Sequence, residues 1–141
     1  MFIMHPRLDA DSVVMGDFPL SRLLLMNDSR YPWFVLVPRR EGITEIFQLG
    51  EKEQLQLQRE SVILGRAIMS VFGGDKLNVA ALGNLVPQLH IHHIVRYRDD
   101  ASWPSPVWGV GISVPYTDEQ LAVIREKIIV SGVLPGLQPS V

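Results

Sequence analysis

The sequence contains no cysteine. That absence removes disulfides, thiolate metal sites and thiol nucleophiles, and nothing ties the chain to an oxidising compartment. Charge of one sign is also scarce: 13 Lys and Arg against 15 Asp and Glu give a formal net charge of −2. So even a balance predicts neither a nucleic-acid polymer nor a membrane as partner. Long apolar runs are missing too, and a stretch such as Trp33 to Val37 is far too short to cross a bilayer. The first residues, Met1-Phe2-Ile3-Met4-His5-Pro6-Arg7, have neither the apolar region nor the small-residue cleavage site of a signal peptide, so the expected location is cytoplasmic. Repeats, low-complexity tracts and Gly/Ser linkers are lacking, which predicts one domain over residues 1–141.

What is present is a set of short β-like segments and two helical ones. Ser21-Arg-Leu-Leu-Leu-Met26 and Trp33-Phe-Val-Leu-Val37 flank Asn27-Asp28-Ser29-Arg30-Tyr31-Pro32, which supplies turn chemistry. They read as two antiparallel strands, the second stopping at Pro38. From Gly50 to Phe72 apolar residues recur at three- and four-residue intervals among Glu, Gln and Arg, the mark of an amphipathic helix, and Gly73-Gly74 ends it. Lys76 to Ala81 and Leu89 to Arg96 read as strands around a turn at Gly83-Asn84. Asp99 to Trp108 is loop-like. Thr117-Asp-Glu-Gln120 matches a capping box and starts a helix running to about Val130. The order predicts an α+β fold, an antiparallel sheet covered by helices.

Three of the four histidines fall between positions 90 and 93. On a strand, Gln88, His90, His92 and Ile94 share one face, and Leu89, Ile91, His93 and Val95 the other. The first face carries a polar Gln-His-His stripe, with about 7 Å between successive side chains. The second is apolar except for His93, which is expected to be a packing histidine. Paired imidazoles can divide labour at phosphorus, one attacking and one assisting departure of the leaving group. A pair of surface histidines is the bland alternative. His-x-His can also chelate a metal, but zinc takes three or four protein ligands and neither cysteine nor a suitably spaced carboxylate is at hand; no metal and no cofactor are expected. Arg39, Arg40, Arg96 and Arg98 form either a solvated rim or a field that steers polyphosphate.

The segment Gln88-Leu-His-Ile-His-His-Ile94 resembles the histidine triad (HIT) motif, His-φ-His-φ-His-φ-φ with φ apolar. The resemblance extends over about residues 9–109: the two-strand unit ending in Pro38-Arg39, the long helix, the Asn78 to Arg96 hairpin, and the Trp103-Pro104 segment. It implies a HIT-like fold with about five strands, a long helix and a C-terminal helical extension near 116–131. It implies a nucleotide-binding hydrolase or nucleotidyl transferase acting at an α-phosphate of a dinucleoside polyphosphate or nucleoside phosphoramidate. His90 would be the nucleophile, His92 would face the leaving group, and Gln88 would orient His90 through its backbone carbonyl. Gly83 and Asn84 would contact the phosphate, while Asn27 and Asn78 would hold the nucleotide. A homodimer is implied as well, with the tryptophan segment 103–108 either meeting the partner or capping the core. The chain departs from the family at Gln88, Trp33 and Leu85, where histidine, histidine and a hydroxyl residue are usual, and its loop at residues 27–32 is short. Trp33 and Gln88 are expected to pack together in place of a histidine pair. A nucleotide-binding protein without catalysis is the alternative these departures imply.

Overall fold

The computed structural model describes residues 1–140. Its elements are α1 (Pro6–Asp11), β1 (Ser12–Asp17), β2 (Ser21–Met26), β3 (Trp33–Pro38), α2 (Glu51–Phe72), β4 (Lys76–Ala80), β5 (Ile91–Arg96), α3 (Asp118–Arg125) and β6 (Gln138–Pro139). The strands form one antiparallel sheet in the order β4-β5-β3-β2-β1-β6. The sheet has six strands where about five were expected. The strand over 12–17 was not foreseen, because Gly16 and Asp17 interrupt its apolar run. The two-residue β6 is too short to leave a pattern.

The long helix follows its prediction closely. Leu57, Glu60, Leu64 and Ile68 recur at three- and four-residue steps and are its buried residues, together with Gly65. Gly73 caps it in the left-handed region at φ 61°, which glycine adopts without a Cβ penalty. The C-terminal helix begins at the predicted capping box, with Thr117 and Gln120 bonded reciprocally. It stays α-helical only to Arg125 and passes into a wider π turn over Glu126–Val130.

Two apolar layers sandwich the sheet. One lies under α2 and the C-terminal segment and contains Leu23, Leu25, Phe34, Leu36, Leu64, Ile68, Leu89, Ile91 and Val95. The other holds Leu8 of α1 with Leu24, Tyr31, Trp33, Val35, Val86, Ile94 and Val107. The alternation read along β5 is therefore observed, with odd positions under α2 and even ones on the opposite face. Glu60 is fully buried in α2, where its carboxylate accepts from the backbone N–H of Leu20 and Ser21 at 2.8 and 2.9 Å and so anchors the start of β2. No helix among the described residues is long and apolar enough to cross a membrane.

Candidate active site

The strand β5 begins at Ile91, two residues later than expected. The preceding segment is held otherwise: the Leu89 N–H bonds to the Ile43 carbonyl at 2.9 Å. His90 lies in this approach and His92 on the strand proper, opposite Val35 of β3. Their rings stand edge to face with centroids 4.8 Å apart. Both are buried, at 5% and 4% exposure, which removes the reading as surface histidines.

In each ring Nδ1 is committed. Nδ1 of His90 lies 2.6 Å from the Gln88 carbonyl oxygen. A carbonyl only accepts, so Nδ1 carries the hydrogen and Nε2 keeps its lone pair. His92 is set the other way, for its Nδ1 accepts the indole N–H of Trp33 at 3.0 Å. Adjacent imidazoles are thus held as complementary tautomers. Burial lowers the His90 pKa against the opposing pull of the Gln88 carbonyl, with a smaller lowering from the charge of His5. Burial and the neighbouring His90 push His92 down to about 4, against the opposing pull of a backbone hydrogen bond to Leu82. At neutral pH both rings are neutral.

His93 faces α2 as expected. Its Nδ1–H donates to the Ile91 carbonyl at 3.0 Å, and its Nε2 accepts from the Ser61 hydroxyl at 2.7 Å. Burial lowers it to about 4 as well. Fully enclosed and bonded at both nitrogens, it is a structural residue.

Two hollows meet at His90. An apolar cleft of about 430 Å³ is lined by Met26, Trp33, Leu82, Leu85, His92 and Trp108, with Arg7 and Asp11 of α1 at its rim. A smaller, more polar hollow of about 280 Å³ is lined by Thr44, Gly83, Asn84, Pro87 and Gln88. Gly83 and Asn84 therefore stand beside His90. A Cβ on Gly83 would come within 2.9 Å of the Val86 carbonyl oxygen, so the close approach of the two backbones in this turn requires glycine. Among the described residues no group of three or more His, Asp or Glu is placed to hold a metal ion.

Asn27, Asn78, Trp33 and Gln88 each have protein partners of their own. Asn78 does not join the histidines: its amide oxygen accepts from Arg96 at 2.8 Å in a separate buried cluster. Asn27 borders a neighbouring hollow with Arg30 and Trp108, and its amide oxygen accepts from the Tyr116 N–H at 2.9 Å. The polar atoms of Trp33 and Gln88 do not meet. Trp33 bonds His92, whereas the Gln88 side chain clamps the N-terminal segment, accepting from the His5 N–H and donating to the Ile3 carbonyl, both at 2.8 Å. The arginines are not a common field: Arg96 is buried, Arg39 bonds the Phe18 and Pro19 carbonyls, and Arg40 pairs with Glu53. The basic residue at the cleft is instead Arg7. Sequence reasoning missed it because α1 has only six residues, although Pro6 after a capping His5 was a usable start signal. Trp108 closes the cleft edge-on to His92 at 5.0 Å, and Trp103 lies under Arg96.

Because Gln88 orients His90 by its carbonyl, its side chain is separable from that task. Gln88→Ala is expected to keep kcat within about tenfold while lowering stability by roughly 1–2 kcal/mol through two lost backbone bonds. Paired kinetic and urea-denaturation measurements check this; a collapse of kcat with stability unchanged would place the amide itself in the chemistry.

A family model for the HIT domain matches residues 7–99. Among solved structures, a histidine triad protein from Marinobacter aquaeolei is 51% identical, with 98% of this chain and 99% of that one covered and a TM-score of 0.93. One from Bradyrhizobium japonicum is 42% identical over 97% and 98% of the two chains, with a TM-score of 0.88. A third, from Sinorhizobium meliloti, is 38% identical over 92% and 96%, with a TM-score of 0.90. No curated protein matches the sequence.

Proposed function

The chain belongs to the histidine triad family, and from that premise we propose that it cleaves or transfers nucleotide conjugates at the α-phosphate through a covalent intermediate on His90. Members of the family are typically nucleotide-binding hydrolases and transferases. The observation that carries the reading is the Nδ1 bond from His90 to the Gln88 carbonyl, which presents Nε2 as a neutral nucleophile at the junction of two hollows. The apolar cleft between Trp33, Leu82, Leu85 and Trp108 suits a base and sugar, and the Gly83-Asn84 turn suits the phosphates. Attack by Nε2 makes His90 an N-phosphorylated imidazolium, whose charge strengthens the Nδ1–H bond to the carbonyl. His92 lies on the leaving-group side. The free sheet edge at β4 offers a surface where two copies join as a homodimer.

Trapping tests the reading. Wild-type protein mixed with diadenosine tetraphosphate or an adenosine phosphoramidate and quenched in alkali is expected to gain one adenylyl group by intact mass spectrometry, mapped to the peptide holding His90. Turnover with no adduct at any quench time would reject the covalent route. AMP binding by calorimetry with neither adduct nor turnover would assign a binding protein instead, the reading favoured by the exposed Leu85 where family members carry a hydroxyl.

A further inference from the structure

Trp33 stands where the family usually has histidine, and its bond to His92 constrains the chemistry. An indole nitrogen can only donate. Accepting that bond at 3.0 Å, Nδ1 of His92 must present a lone pair, so the single hydrogen of the neutral ring is on Nε2. A second proton at Nδ1 would set two N–H groups against each other inside a buried contact. The indole has little room to withdraw: it is 7% exposed and packed edge-on against Tyr31 at 6.4 Å and Trp108 at 5.9 Å. The titratable groups facing His92 offer no relief. His90 and His93 both oppose a positive charge on it. From α1, Arg7 adds the same sign, and the exposed Asp11 lies at the cleft rim 3.8 Å from Arg7.

We propose that Trp33 is a positioning residue that holds His92 as the neutral Nε2–H tautomer, and that the site thereby selects leaving groups that depart as phosphate oxyanions, as in nucleoside polyphosphates, over the amines of phosphoramidates. The proposal rests on the reaction assigned above and narrows its substrate class. Nε2 of His90 forms the bond to the α-phosphorus. The P–O bond to the next phosphate breaks, and the electron pair stays on the departing oxygen. His92 Nε2–H, exchanging its backbone partner at Leu82 for the substrate, stabilises that oxyanion by a hydrogen bond, with no proton transferred. Water or a phosphate oxygen then bonds to phosphorus, the pair of the broken N–P bond returns to His90, and the proton of an attacking water passes to solvent. An amine differs, since its nitrogen must gain a proton before the P–N bond can break. A neutral imidazole donating its only proton would become an imidazolate, so His92 in this tautomer is no acid for that step.

Long-range proton–nitrogen correlation spectra of the whole protein read the tautomer directly. The wild type is expected to show His92 bare at Nδ1, protonated at Nε2, and not titrating between about pH 5 and pH 8. Trp33→Phe keeps an apolar ring and deletes the donor, and there His92 is expected to titrate at higher pH than in wild type and to gain a protonated fraction toward pH 5, with burial and His90 still opposing the charge. In parallel, kcat/KM is measured for diadenosine tetraphosphate and adenosine phosphoramidate across the same range. General acid catalysis contributes roughly 10²–10⁴-fold, so wild type is expected to favour the polyphosphate by about 10²-fold or more, and Trp33→Phe to narrow that ratio about tenfold, most at low pH. An Nδ1-protonated or titrating His92 in wild type overturns the proposal, as does a ratio that Trp33→Phe leaves unmoved. Absence of turnover on both substrates overturns the reaction assigned above and the selectivity with it, while the spectra still decide whether Trp33 fixes the tautomer.

Discussion

Replacing His90 with alanine is expected to lower turnover by roughly 10⁴-fold or more, the scale seen when a covalent nucleophile is removed. The size of the effect follows from what is lost. Without an imidazole, direct attack of water must replace two easier steps. Gln88 and Trp33 each fix one ring of the pair, but neither offers a nucleophile. The fold should survive, because His90 lies before β5 and makes its one protein hydrogen bond to the chain two residues away. A melting temperature within a few degrees of wild type would separate lost chemistry from lost structure. His90→Gly adds a positive readout, since free imidazole entering the vacated space is expected to restore part of the rate. A His90→Ala protein that retained wild-type turnover would remove His90 from the mechanism, and the adjacent His92, already bonded to Trp33 at Nδ1, would not inherit the role.

The strand and helix core was legible because its signals are local. The three- and four-residue recurrence of Leu57, Leu64 and Ile68 marks α2 whatever surrounds it, and the alternation from Leu89 to Val95 separates His93 from His90 and His92 without any tertiary knowledge. The tautomers of the two site histidines were not legible. They depend on Trp33, which lies opposite Ile94 in the sheet register and 59 positions from His92 in the chain. The same holds for Gln88, whose side chain binds residues 83 and 85 positions away. Asn27 and Asn78 each occupy a family-like place along the chain, and the partner that takes the amide oxygen of each, a backbone N–H or an arginine, is brought near only in the folded structure. Arg96 looked like a rim cation because strand ends are commonly solvated. The loop after β5 turns back over it instead.

That turn carries the largest stability effect expected away from the site. Arg96 is 1% exposed and bonds Asp100 at 2.8 and 3.0 Å, Asn78 at 2.8 Å, the Ser102 hydroxyl at 3.1 Å and the Ser105 carbonyl at 2.8 Å. Its guanidinium also lies over the rings of Tyr31 and Trp103. Asp100 in turn accepts from the backbone N–H of Tyr97, Ser102 and Trp103. One cation thus ties β4, β5 and the loop to Ser105. Arg96→Met, which keeps much of the apolar stem, is expected to cost about 3–5 kcal/mol in urea denaturation at neutral pH, because it strands the Asp100 carboxylate in a buried place. The acid dependence identifies the cause. Although burial pulls upward, hydrogen bonds from Arg96 and the backbone hold the Asp100 carboxyl at about 2, below the ordinary value near 3.9. A folded-state pKa below the unfolded one stabilises the protein above about pH 4, and that stabilisation fades as pH falls toward 2. In Arg96→Met the same carboxyl loses its cation, its pKa rises, and protonation relieves the buried charge. The stability gap between wild type and variant should therefore close as pH falls from about 5 toward 2. A gap that stays constant across that range would show that Arg96 acts through its packing on Tyr31 and Trp103 and not through its charge.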